Sequence, residues 1–165
     1  MIDAGFRMLF VGIETPDETS LRECGKKQNA GRDLVAAVKS LQRKGFDVSA
    51  GFIVGFDSDT ATVFDRQIAF IQESGITTAM VGLLTAENGT RLYERLDREG
   101  RIKEVTSGIN TDGTLNFVPR MDSRTLLDGY LRIVQAIYSP NAYFRRVRTF
   151  LSVYQRPNFG PKSRG

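Results

Sequence analysis

The sequence has no histidine and a single cysteine, Cys24, in 165 residues. The first absence removes the commonest general base and metal ligand. The second excludes an internal disulfide and any multi-cysteine metal site made by this chain alone. No apolar run approaches the roughly 20 residues that cross a bilayer, and no signal-peptide pattern opens the chain, so a cytoplasmic protein is expected. Acidic residues are missing from one end. After Asp128 come seven basic side chains (Arg132, Arg145, Arg146, Arg148, Arg156, Lys162 and Arg164) and no acid. With the whole chain at +4, those seven leave residues 1–128 at net −3. Such an end could meet nucleic acid or a membrane surface, or be a solvated helix face and a frayed terminus. What is present is ordinary for a folded domain: 41% hydrophobic and 25% charged residues, in a length that buries roughly 70% of its unfolded surface.

A weak internal repeat organises the first half. "AGF" (4–6), "KGF" (44–46) and "SGI" (74–76) each set a glycine just before an apolar, strand-like run: "MLFVGI" (8–13), "VSAGFIV" (48–54) and "TTAMVGLL" (77–84). Two of the glycines close amphipathic helices. Leu34, Val38 and Leu41 mark the apolar face of the first, and Phe64, Ile68 and Ile71 that of the second, with Thr62 and Asp65 as its capping pair. The order β-α-β-α-β, with short loops and strands that read as buried on both faces, predicts an α/β fold with a parallel sheet, its strands at about 7–14, 47–54 and 77–84. "MIDAGF" reads as the last turn of a helix whose start is absent, so a piece of a longer protein is expected, with the strand around Leu9–Ile13 left as an apolar edge.

The pattern then changes. Residues 87–102 read as a short helix ending at Gly100, and 103–122 as loop. A helix over "DSRTLLDGYLRIVQAIYSP" sets Leu127, Tyr130, Leu131, Val134, Ile137 and Tyr138 on one face. A last helix, about 142–154, sets Phe144, Val147, Leu151 and Tyr154 inward and its arginines outward. The expected division is therefore 1–102, a helical extension at 103–154, and a disordered tail at 155–165.

In parallel α/β folds functional groups collect where strands end. Those ends are Glu14–Thr15, Asp57–Asp59 and Thr85–Asn88. Glu14 directly follows a buried run, and a carboxylate there can accept two hydrogen bonds from a vicinal diol such as a ribose. The local alternative is helix capping by Glu14 or Asp17, with Thr15 at the cap and Pro16 in the first turn. Gly51 and Gly55 each weaken a strand by roughly 0.5–1 kcal/mol relative to alanine, a cost tolerated where a ligand, a bulge or a packed helix comes close. Cys24 reads as an inert small residue.

"FVGIETPDETSL", then "GFIVGFDSDT", then "GLLTAENGTRLYERLDREGRI" together resemble the latter half of the radical S-adenosylmethionine superfamily barrel, cobalamin-binding type. "NTDGTLNFVPRMD" and the "GY", "IYSP" and "YF" that follow, residues 110–146, are similar to the C-terminal extension of those enzymes. The resemblance covers about residues 1–151 and implies three β/α units, the fourth to sixth, of a partial (β/α)6 barrel. It implies that Glu14 contacts the ribose of S-adenosylmethionine, that Gly51, Ile53 and Gly55 lie against the adenine, and that Val81 and Leu83 help enclose it. The family's proline–glycine–glutamate after the fifth strand is replaced by Phe56-Asp57-Ser58-Asp59, where Asp59 would fill the acidic place. The three-cysteine motif for the four-iron four-sulfur cluster is missing, and so is a cobalamin domain. Both cofactors would belong to the parent only, and this chain alone would be inactive. Its implied partners are the N-terminal half of its own parent, a small-molecule substrate for radical chemistry such as methylation or ring formation, and a second copy through the bare strand edge. The competing expectation is a non-catalytic module that uses the basic helix 142–154 on RNA or a protein partner. The inward use of that helix's aromatics argues against nucleic acid.

Overall fold

The computed structural model describes residues 1–2, 4–103 and 114–156. Residues 157–165 of the tail expected at 155–165, and residues 104–113 of the loop expected at 103–122, lie outside them. Three strands, β1 (Met8–Glu14), β2 (Asp47–Val54) and β3 (Ala79–Leu83), form a parallel sheet in the order β1-β2-β3. The helices are α1 (Glu18–Glu23), α2 (Leu34–Arg43), α3 (Thr62–Ser74), α4 (Arg91–Arg98), α5 (Ser123–Tyr138) and α6 (Pro140–Val153). The expected α/β order is thus present, with β3 shorter than its apolar run.

The repeated glycine has a structural meaning. At Gly45 the bonds Gly45 N→Gln42 O (2.9 Å) and Phe46 N→Leu41 O (3.2 Å), with φ +91°, terminate α2 and turn the chain into β2. Gly5 has the same bonds, to Ile2 and Met1, and φ +93°. The turn before β1 is therefore built like a helix end, as "AGF" suggested.

Helix starts follow the short polar residues, with some corrections. Asp17, not Thr15, caps α1, accepting from Thr19 N and Ser20 N, while the Thr15 hydroxyl accepts from Asp17 N. Asp33, Thr90 and Asp122 cap α2, α4 and α5. Thr62 and Asp65 do not form a capping pair: the N-cap is Ala61, without a side-chain bond. Thr62 bonds the Thr60 hydroxyl instead, and Asp65 pairs with Arg132.

One face of the sheet is covered. Val48, Ala50, Phe52 and Val54 of β2, with Ala79, Val81 and Leu83 of β3, pack against Val38, Phe64, Phe70 and Ile71 from the helices. α5 joins this same core through Leu126, Tyr130, Ile133 and Ile137. The Tyr138 hydroxyl donates to Ala79 O (3.0 Å) and accepts from Ala79 N (3.2 Å), satisfying backbone groups at the start of β3.

Two helices are rotated from the expected faces. In α5 the buried set is Leu126, Gly129, Tyr130, Ile133 and Ile137, while Leu131 and Tyr138 are exposed. Gly129 sets this phase, because a Cβ there would overlap the Phe64 ring. In α6 the buried residues are Ala142 and Arg146, whereas Phe144 and Leu151 face solvent. Arg146 turns inward because backbone carbonyls await it: its guanidinium donates to Ile137 O and Thr77 O. It also sits 5.4 and 5.3 Å from the ring centroids of Tyr138 and Tyr143.

The expectation of strands buried on both faces is also corrected. Met8 and Phe10 of β1 and Met80 of β3 are 66%, 64% and 55% exposed. They share the sheet face that the helices above do not cover, and that open face positions the candidate site.

Candidate functional site

Register decides which side chains share the open face. Gly12 pairs with Gly51, Gly51 with Met80, and Ile53 with Gly82. Cross-strand partners point to one side of a sheet, so the glycines of β1 and β2 lie next to each other and leave bare backbone. A shallow hollow of about 180 Å³ is lined there by Phe10, Glu14, Gly51, Phe52, Ile53, Met80, Val81 and Gly82. That is smaller than the roughly 300–1,000 Å³ of an enclosed small-molecule pocket, so the hollow is one wall of a site. The Phe10 ring already rests on the shelf, 3.3 Å from where a Cβ of Gly51 would lie.

Glu14 stands at the rim of this wall. The β1–β2 register shifts between Gly12 and Glu14, leaving Ile13 as an extra, buried residue. Glu14 itself has φ +67°, alone among the described non-glycine residues in the left-handed region. Such a conformation costs on the order of 1 kcal/mol or more and persists where its surroundings hold it. Three contacts do so. Gln67 Nε2 of α3 donates to Glu14 O and Ile53 O, each at 3.2 Å, which ties the ends of β1 and β2 together. Lys26 Nζ pairs with Glu14 Oε1 at 3.1 Å and reaches Gly12 O at 3.5 Å. Finally, the carboxylate folds back over Gly12, where any Cβ would lie 2.5 Å from Oε1.

The loop after β2 is a hub of side-chain bonds. Asp59 accepts from Gly55 N (2.8 Å), Phe56 N (3.1 Å) and the Ser20 hydroxyl (2.7 Å). Burial nevertheless pushes its carboxyl above the usual range, against the pull of those bonds. Glu23 accepts from the backbone N–H groups of Asp57 and Ser58 and from the Ser58 hydroxyl. Asp57 meets Arg101 through two bonds (2.6 and 2.9 Å) and Arg95 at 2.6 Å. The Arg101 guanidinium, then burial acting in the opposite sense, then Arg95, together hold the Asp57 carboxyl down at about 2. Beyond β3, Asn116 clamps Ala86 through both of its backbone groups, at 3.0 and 2.7 Å.

The expected site residues therefore separate into groups. Glu14, Gly51 and Ile53 meet at the open face. Val81 borders the hollow, but with Leu83 it belongs to the helix-covered core, so the β3 residues sharing the shelf are Met80 and Gly82. Gly55, at φ +110°, lies against Leu126 and Leu84 instead of the hollow. This is the packed-helix role weighed for it from the sequence. Asp59 is spent on closing its own loop. Sequence reading missed Lys26, whose only signal is an unspecific "GKK" after a helix. It also missed the Asp57–Arg95–Arg101 cluster, whose members are 38 and 44 residues apart.

Comparison with known proteins adds one family match and three relatives. A family described only as a domain of unknown function, DUF4070, matches residues 90–164. An uncharacterized methyltransferase of Synechocystis sp. is 34% identical over 155 residues, 93% of this chain and 29% of the relative. The hopanoid C-2 methylase of Rhodopseudomonas palustris is 38% identical over 102 residues, 62% of this chain and 19% of that protein. A bacteriochlorophyllide d C-12(1)-methyltransferase of Chlorobaculum tepidum is 23% identical over 146 residues, covering 88% of this chain and 32% of that enzyme. The chain's homologues thus carry methyltransferase names, and it spans less than a third of the length of each.

Proposed function

We propose that this chain is the C-terminal part of a cobalamin-type radical S-adenosylmethionine methyltransferase, and that its open sheet face forms one wall of the adenosyl pocket. The observation that carries the reading is the paired Gly12–Gly51 shelf with Glu14 turned onto it by the bulge. A planar, mostly apolar base suits bare backbone, as the Phe10 ring resting on Gly51 illustrates. A carboxylate at the edge of that shelf suits a ribose diol, whose two hydroxyls donate to it. Methyl-transfer names among relatives aligned along 93% and 88% of the chain support the reaction class.

In this reading residues 1–102 are the last three units of the partial barrel and the helices after them are the extension. The cluster and cobalamin would be held elsewhere in the parent. One cysteine cannot ligate a four-iron cluster, and among the described residues no group of three or more His, Cys, Asp or Glu could hold a metal. When bound, S-adenosylmethionine, the cluster and cobalamin would supply the radical and methyl-transfer chemistry. The chain's own residues bind and orient: Glu14, seated over Gly12, fixes the ribose, Gly51 admits the base where the Phe10 ring moves off it, and Lys26 aims Glu14.

The test is calorimetric titration of S-adenosylmethionine into the parent polypeptide, reconstituted without oxygen. Glu14→Gln should weaken binding about tenfold, the size expected for a charge-assisted hydrogen bond. Gly51→Val should abolish binding while leaving the iron content unchanged. Wild-type affinity in both variants would refute the pocket assignment, and a parent without cluster absorption would refute the class.

A further inference from the structure

We propose that the outward face of α6 docks on an anionic lipid surface. α6 has two faces, and among the described residues only one is packed against the fold. Ala142 and Arg146 are buried against the rest of the protein. On the opposite side Phe144 and Leu151, seven residues or two turns apart, are 63% and 62% exposed, with half-buried Val147 between them and exposed Tyr143 alongside. The arginines Arg145 and Arg148 are exposed beside this stripe. No acidic residue occurs in the chain after Asp128. The one ion pair of the later arginines among the described residues is Arg132 with Asp65 of α3.

An aromatic and aliphatic stripe bordered by arginines on a solvent-facing helix is the arrangement that lies in a membrane interface, apolar side chains at the acyl boundary and cations among headgroups. Charge complementarity selects an anionic surface. No sheet residue takes part, so the inference stands or falls independently of the adenosyl pocket.

Phe144→Trp tests it directly, because the chain has no other tryptophan. Its emission should shift to the blue on adding vesicles of phosphatidylcholine mixed with phosphatidylglycerol, far less with phosphatidylcholine alone, and less again as salt rises. In co-sedimentation of the 165-residue chain, Phe144→Ser with Leu151→Ser should lower affinity at least about tenfold. Arg145→Gln and Arg148→Gln should each lower it about fivefold. All four side chains are exposed, so melting curves should stay in place. No blue shift with the mixed vesicles would overturn the inference. So would equal binding to neutral vesicles, or binding that survives the double serine variant and is lost only on Phe10→Ser in the sheet.

Discussion

Arg146 carries a charge into the interior, and no carboxylate among the described residues pairs with it. Two carbonyl oxygens and the faces of Tyr138 and Tyr143 take that place. Burial without a counter-charge lowers the guanidinium's pKa from its ordinary value. It stays protonated all the same, because arginine holds its proton far above any working pH. The arrangement ties the end of α5 to the segment before β3, so removing the side chain leaves two carbonyls without a donor. Arg146→Ala should cost about 2–4 kcal/mol in urea unfolding, from unsatisfied groups plus lost packing. Arg146→Lys should recover less than half of that, since an ammonium cannot reproduce the planar fork. A change within about 0.5 kcal/mol for the alanine variant, the size of an ordinary surface substitution, would mean that Arg146 is a bystander.

The β2–α3 loop illustrates the element scale. Its acids read from the sequence as a ligand rim, yet their bonds go to neighbouring elements: Asp57 to α4 and Arg101, Ser58 to Glu23 at the end of α1, and Asp59 to the loop's own backbone. A strand that delivers its last residues into an acidic loop does so here to fasten three connections at one end of the sheet. Asp57 makes this measurable. Its folded-state pKa is held at about 2, below the ordinary 3.8. Its contribution is therefore complete above about pH 4 and is lost as pH falls through about 2, at most about 2 kcal/mol before solvent screening is allowed for. Asp59, displaced upward by burial, works in the opposite sense, so the difference between wild type and Asp57→Asn isolates the first effect. The wild-type melting temperature should fall more steeply than the variant's between pH 4 and pH 2. Parallel curves would show that the arginines do not discriminate between the two charge states.

At the scale of the whole molecule the unusual feature is a sheet that, among the described residues, is covered on one side. Among the described residues the outer edge of β1 pairs with no strand, and Met8, Phe10 and Met80 lie open beside it. Exposed apolar strand edges promote association. The 165-residue chain should therefore self-associate with rising concentration in light scattering, and Phe10→Ser with Met80→Lys should restore a monomer. A monomeric wild type at high concentration would remove the need for a partner on this face. Among the described residues no helix is long and apolar enough to cross a membrane.

Local chemistry was legible in the sequence because it depends on neighbours a few residues apart. The β-α order follows from glycines that end helices and apolar runs that begin strands, Asp17 caps by reaching two and three residues ahead, and Glu14 stands out as a carboxylate after an apolar run. What only the tertiary structure decided involves partners remote in the chain. The phase of α6 was misread because its stripe of Phe144 and Leu151 is not the face packed against the fold, and the choice between faces was made by the carbonyls of Thr77 and Ile137 waiting for Arg146. Gly51 and Gly55 look alike in sequence, yet one faces the open side of the sheet and the other the side chains of Leu126 and Leu84. Alternation along a strand says that two faces exist, and only the packing of helices on one of them says which is left open.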